Sequence, residues 1–276
     1  MNHRYTKLLL LFCLGTSQLM AQDTSITNSI GMELVLIKPG HFVMGKFAPP
    51  YPTKIDTNST HTNGERGYNA AELALAKKLA EQDKQPGFTV TIQKAFYIGK
   101  FEVTQAQWKA VMGSNPSIFQ GNKVADNADQ HPVENVSWND VQQFLKKLNA
   151  REKGKRYRLP TEAEWEWAAR AGASDDIPWA QISATAQLNT RTTNKVGGKA
   201  PNAWGLYDML GNVWEWVQDW YNEKIFADPT PLKSGTQHVL KGASFVGDVK
   251  NATYLTHAAG PGNGWDVGFR VVLETN

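Results

Sequence analysis

Paired carboxylates set in a loop rich in glycine and aromatic residues stand out first. Residues Gly205 to Trp216 read GLYDMLGNVWEW, with Asp208 and Glu215 seven positions apart around Gly211. A hard cation such as calcium takes several oxygen ligands, combining carboxylates with backbone carbonyls that a kinked, glycine-containing loop turns inward. The bland alternative is that both carboxylates accept backbone hydrogen bonds in a tight loop. Thiol chemistry has one source, Cys13, the single cysteine of 276 residues. Of the histidines after the first twenty residues (His41, His61, His131, His238 and His257), none stands at the i, i+4 spacing that sets two imidazoles on one helix face. His257, near Asp248 and Tyr254 in sequence and followed by Asp266, is the best single candidate for a ligand, against the commoner fate of a lone surface or hydrogen-bonded histidine, and with those three residues it could accept protons from a substrate.

The first segment limits this chemistry further. Arg4 and Lys7 precede the apolar run Leu8 to Leu14, and small and polar residues follow to Ala21. That three-part pattern predicts a signal peptide over residues 1–21 and a periplasmic or secreted chain. The apolar run is too short for a bilayer span of about 20 residues, so no membrane span is expected. Cys13 lies inside the removable segment, so the mature chain is expected to hold no disulfide and no thiolate. Removing Arg4 and Lys7 from 29 basic residues leaves 27 against 26 acidic ones. This balance argues against a nucleic-acid or anionic-membrane partner.

Local signals indicate the elements that position these groups. Apolar residues around Met32 to Ile37 and Phe42 to Met44, separated by Lys38-Pro39-Gly40, predict a strand, a tight turn and a second strand. Phe88, Val90 and Ile92 alternate with polar residues as a strand does, and Phe96 to Val103 continues as extended chain. Four helix starts share one rule: Asn69 with Glu72, Thr104 with Gln107, Ser137 with Asp140 and Thr161 with Glu164. In each, a short polar side chain can cap an amide three residues on, the second and fourth fitting the reciprocal capping box best. Val141, Phe144, Leu145 and Leu148 should share the buried face of one helix, and the helix from Thr161 should stop at Gly172. Regular periodicity nearly vanishes from there to Val239. The sum is one α+β domain over residues 22–276, with modest regular structure, much ordered loop and a polar insertion at 46–85.

Five ordered segments give the chain a family. They are FEVTQAQW (Phe101 to Trp108), HPVENVSWNDV (His131 to Val141), RLPTEAEWEWAARAG (Arg158 to Gly172), NAWGLYDMLGNVWEW (Asn202 to Trp216) and GFRVV (Gly268 to Val272). Together they resemble the formylglycine-generating-enzyme, or sulfatase-modifying-factor, family from about Met32 to Leu273. The resemblance implies an α+β, C-type-lectin-like sulfatase-modifying-factor fold as a single domain. It also implies a structural calcium held by the side chains of Asp208 and Glu215 and the carbonyls of Gly211 and Val213. A second family calcium site lacks its later aspartate after Asn189 and Thr190.

The family's oxidation uses two C-terminal cysteines that bind copper. The corresponding stretch here, KGASFVGDVKNATYLTHAAG, places Gly247 and Ala252 at those positions, and neither can ligate Cu(I). Copper chemistry through cysteine is therefore not expected. Two readings remain. One is an exported module that grips a peptide, glycan or protein ligand on its loop face, with Trp265 beside a cleft. The other is a cysteine-independent periplasmic oxidoreductase, maturing a peptide-like substrate such as a siderophore precursor through Asp248, Tyr254, His257 and Asp266. Arg270, in GFRVV, is expected to partner a buried carboxylate or carbonyl.

Overall fold

The computed structural model describes residues 24–46, 69–82, 86–174, 179–226, 228–248, 252–260 and 262–275. The expected signal at 1–21, Cys13 with it, and residues 47–68 and 83–85 of the insertion lie outside these. Strands β1 (Ser25–Thr27), β2 (Glu33–Ile37), β5 (Phe96–Gly99), β11 (Val272–Glu274) and β6 (Tyr157–Arg158) form an antiparallel sheet in the order β1-β2-β5-β11-β6. A second sheet runs β10 (Val267–Gly268), β7 (Trp214–Trp220), β8 (His238–Lys241) and β9 (Ala258–Ala259), with β10 parallel to β7. Strands β3 (Gly40–Met44) and β4 (Phe88–Ile92) form a separate antiparallel pair. The two strands expected around Lys38-Pro39 therefore exist but belong to different sheets. Proline has no amide to donate, and the chain leaves the first sheet there.

The expected helices form: α1 (Ala70–Gln82), α2 (Gln105–Met112), α3 (Trp138–Arg151) and α4 (Glu162–Arg170). Asn69 and Glu72 exchange hydrogen bonds at the start of α1. Thr104, Ser137 and Thr161 each close a full capping box. Asp140 thus reaches its cap amide as well as the longer Gln107 and Glu164 do, at 3.0 Å. Ala171, in the left-handed region, ends α4, with Gly172 following it in that region. Two elements fall where no period was legible: the short helix α5 (Trp179–Thr185) and strand β7. In β7 a run of buried residues, Glu215 to Val217, replaces alternation because both faces of the strand are covered.

One core packs α4 and the β3–β4 pair around Trp165 and Ile37, and a second packs α2 and α3 around Trp108, Phe144 and Phe269. Trp108 stacks on Phe144 at 5.2 Å, and Phe269 meets both edge-on. Aromatic area of this kind holds the long loops that the short strands leave without ladder hydrogen bonds. The chain buries an unusual set of charged side chains, among them Glu102, Glu162, Glu166, Arg170, Glu215, Lys241 and Arg270.

Candidate functional site: two buried charge clusters and an aromatic loop face

Arg270 is completely buried just before β11. Its Nε and Nη2 donate to Glu215 Oε2 and Oε1 at 2.7 and 2.6 Å, and its remaining donors reach the carbonyls of Gly99, Tyr207 and Asp208. Trp165 Nε1 adds a third bond to Glu215, at 2.7 Å. Glu102, from the first sequence motif, accepts from Asn212 Nδ2 and from the Val213 amide. The loop between them is fixed by backbone demand. Asp208, Gly211 and Asn212 have φ of 52°, 83° and 58°, and a Cβ on Gly211 would stand 2.4 Å from the Gln187 carbonyl.

The guanidinium pairs with Glu215 alone, while the Glu102 and Asp208 carboxyls, bonded elsewhere, lie close enough to feel both charges. Burial, reinforced by the Asp208 and Glu215 charges, pushes the Glu102 carboxyl well above its ordinary range, and burial lifts Asp208 to about 6. Asp208 Oδ2 accepts the Gly197 amide, while its Oδ1 is buried without a hydrogen-bond partner. Among the described residues, no three His, Cys, Asp or Glu side chains are grouped as metal ligands. The residues fit calcium in two respects: an unclaimed carboxylate oxygen and negative charge in excess. Glu215 fits less simply, because three N–H groups already occupy its oxygens.

His257 lies in a different cluster. Its Nδ1 is 2.7 Å from Glu162 Oε1 and its Nε2 is 3.0 Å from the Asn222 carbonyl, with Tyr221 stacked on the ring. Lys241, fully buried, sits 3.3 Å from Glu162 and 3.6 Å from Glu166, and Arg170 closes on Glu166 at 2.8 Å. Burial alone would raise the Glu162 carboxyl, but Lys241 and the His257 bond outweigh it and hold it below the usual carboxylate range. With both ring nitrogens engaged, His257 ties β9 to the segment after β7. Tyr254 is also buried and carries the Arg170 guanidinium over its ring at 5.5 Å. Asp248 is exposed.

Asp266 lies with neither group. It accepts a 2.7 Å bond from Ser244 Oγ, in the loop that carries Gly247. Beside it Trp265 is 46% exposed and packs against Phe245 and Phe119, with Ile118 and Val246 also open to solvent. Beneath this face Glu134 is fully buried, one oxygen accepting the Phe119 amide at 2.8 Å and the other without a partner. Burial pushes its carboxyl up to about 7. Glu134, Glu162 and Lys241 were not legible as special. Each is one charged residue in a mixed local sequence, a pattern that a surface position also produces.

The chain matches the sulfatase-modifying factor enzyme 1-like domain over residues 21–275. It belongs to that family. It is 31% identical over 235 residues to the chaperone protein LppX of Paenibacillus barcinonensis, covering 64% of this chain and 79% of LppX. Against the formylglycine-generating enzyme of Thermomonospora curvata it is 36% identical over 171 residues, covering 52% of each. The chain thus spans about half the length of that enzyme. PvdO of Pseudomonas aeruginosa superposes with a TM-score of 0.68 at 23% identity, over 92% of this chain and 100% of PvdO, and so shares the fold. At the positions where this family's copper cysteines are expected, Gly247 contributes a turn bonded to Ser244, and Ala252 is fully buried.

Proposed function

We propose that this chain is an exported member of the sulfatase-modifying-factor family that recognises a peptide or protein partner through the Trp265 face and does not generate formylglycine. The observation that carries the reading is the exposed apolar set of Ile118, Val246 and Trp265, backed by Phe119 and Phe245. Such residues serve as anchors at interfaces, where desolvating an aromatic side chain contributes most of the affinity. The likeness to LppX, named a chaperone, supports a role in holding another chain. The absence of any cysteine after Cys13 removes the thiolates on which formylglycine formation depends. A glycan is the other occupant that an exposed tryptophan face can take.

The oxidoreductase reading has less support. It needs Asp248, Tyr254, His257 and Asp266 to act on one substrate, yet His257 is held by Glu162 and Asn222 while Asp266 is held by Ser244. Calcium belongs to the same proposal as a structural ion. Asp208 Oδ1, the Gly211 and Val213 carbonyls and Glu215 would hold it, and its charge would offset the surplus carboxylates around Arg270.

A photo-crosslinker at Val246 tests recognition, with one at exposed Lys147 on α3 as control. The exported chain should capture a defined set of exported proteins from position 246. Trp265→Ala should weaken that capture by roughly thirtyfold, about 2 kcal/mol for a central aromatic anchor. Equal capture at both positions, or capture indifferent to Trp265→Ala, would refute the reading. Mass spectrometry of a sulfatase-type cysteine peptide should show no aldehyde.

A further inference from the structure

Strand β4 pairs with β3 along one edge only. Among the described residues, no other hydrogen bond reaches its backbone. A groove of about 510 Å³ follows the free edge. Val90, Thr91, Ile92, Gln93 and Lys94 line it in unbroken succession and no residue of β3 does, so it runs beside the strand rather than across the pair. Opposite stand the first turn of α4 and the end of the first sheet, where Thr275 Oγ1 donates to the Ala95 carbonyl at 2.7 Å. The other edge strand bordering the groove, β6, is not open in this way. Asn149 accepts the Tyr157 amide at 2.7 Å and donates to the Tyr157 carbonyl at 2.9 Å.

A row of unpaired amides and carbonyls at strand spacing is matched by another extended backbone, whose own donors and acceptors repeat with the same period. Set in a groove with a wall on its far side, this edge takes a single chain rather than the sheet edge of a second copy. Charge adds a preference. Arg158 is held by Glu164 and Glu274, and Arg156 by Glu274. Of three cations and two carboxylates in the lining, exposed Lys94 is the one left over. We propose that the groove binds an extended peptide segment of a partner by strand addition to β4, with an acidic side chain of that segment beside Lys94. Residues Val90 to Lys94 cover about 17 Å at about 3.3 Å each, so the paired segment is about five residues long. The groove shares no residue with the Trp265 face, so the two proposals stand or fall separately.

The probe is a library of capped heptapeptides randomised around a central glutamate. It is selected on the full exported chain carrying Trp265→Ala, so that binders of the aromatic face are not enriched, and the tightest peptide is then titrated into the wild type. It should saturate with Kd below about 1 mM. Methylating its alternate amide nitrogens gives two versions, each blocking one edge of the bound strand. The version blocked toward β4 should bind at least about tenfold more weakly, and the other within about twofold of the parent. Gln93 lines the groove and is exposed, so Gln93→Trp should weaken binding at least about tenfold in a folded protein. Lys94→Glu should weaken it roughly threefold, and lysine in place of the central glutamate should recover that loss. The proposal is overturned if no peptide is selected, if both methylated versions bind alike, if folded Gln93→Trp binds unchanged, or if Lys94→Glu still prefers the glutamate peptide.

Discussion

Replacing Glu134 by glutamine keeps the shape of the side chain and the oxygen that accepts the Phe119 amide, and removes a group whose charge is costly where it sits. Burial moves this carboxyl from 4.5 to about 7, with the Asp266 charge adding to the rise and Lys123 and the Phe119 backbone bond opposing it. Between those two values the folded chain keeps a proton that the unfolded chain releases. The unfolded state then binds fewer protons, and stability falls as pH rises. The contribution is intact below about 4.5 and fully lost above about 7. Each pKa unit corresponds to about 1.4 kcal/mol, so the wild type should lose about 2–3 kcal/mol through this group across the window. Asp208 and Asp219, each raised to about 6 mainly by burial, act in the same direction in both proteins and cancel in the difference.

Urea unfolding of wild type and Glu134→Gln at about pH 5 and about pH 8 measures that difference. The variant should gain on the wild type by about 2 kcal/mol between the two conditions, roughly 1 M in midpoint for a slope of about 2 kcal/mol/M. A stability gap that does not change with pH would refute the argument that Glu134 is desolvated in the folded chain. So would a gap that widens toward acid.

Arg270→Met leaves Glu215 buried beside two other carboxylates, so it should cost about 3–5 kcal/mol and lower Tm by at least roughly 6 °C, with Glu215→Gln restoring part of the loss; a cost under about 1 kcal/mol would contradict the ion-pair assignment. Thr161→Ala removes one half of the α4 capping box and should cost about 1 kcal/mol in urea unfolding; no measurable cost would mean that Glu164, also paired with Arg158, holds the helix start by itself. Chelator should lower Tm if calcium binds only the folded chain, by mass action; unchanged melting with no calcium found by elemental analysis would defeat the structural-ion proposal.

What could be read from the chain alone was what depends on near neighbours or on residue type. A capping pair spans four residues, so Asn69, Thr104, Ser137 and Thr161 marked their helices without knowledge of the fold. The α3 face of Val141, Phe144, Leu145 and Leu148 follows from helical period, and family membership follows from five ordered motifs. Chemistry by exclusion was legible too, since a sequence without a cysteine after Cys13 offers no thiolate in any fold. Arg270 was readable as a buried partner, but its choice of Glu215 was not.

That choice is made across 55 residues, and the bond to the Gly99 carbonyl across 171. Pairing at such separation depends on which strands share a sheet and which carboxylate burial sets beside the guanidinium. Only the tertiary structure engaged His257 with Glu162 and Asp266 with Ser244, dividing residues whose sequence proximity had grouped them. It also buried Glu134 beneath an aromatic face. Desolvation is what gives these ordinary side chains their unusual energetics, and a linear sequence does not report how much water a residue has lost.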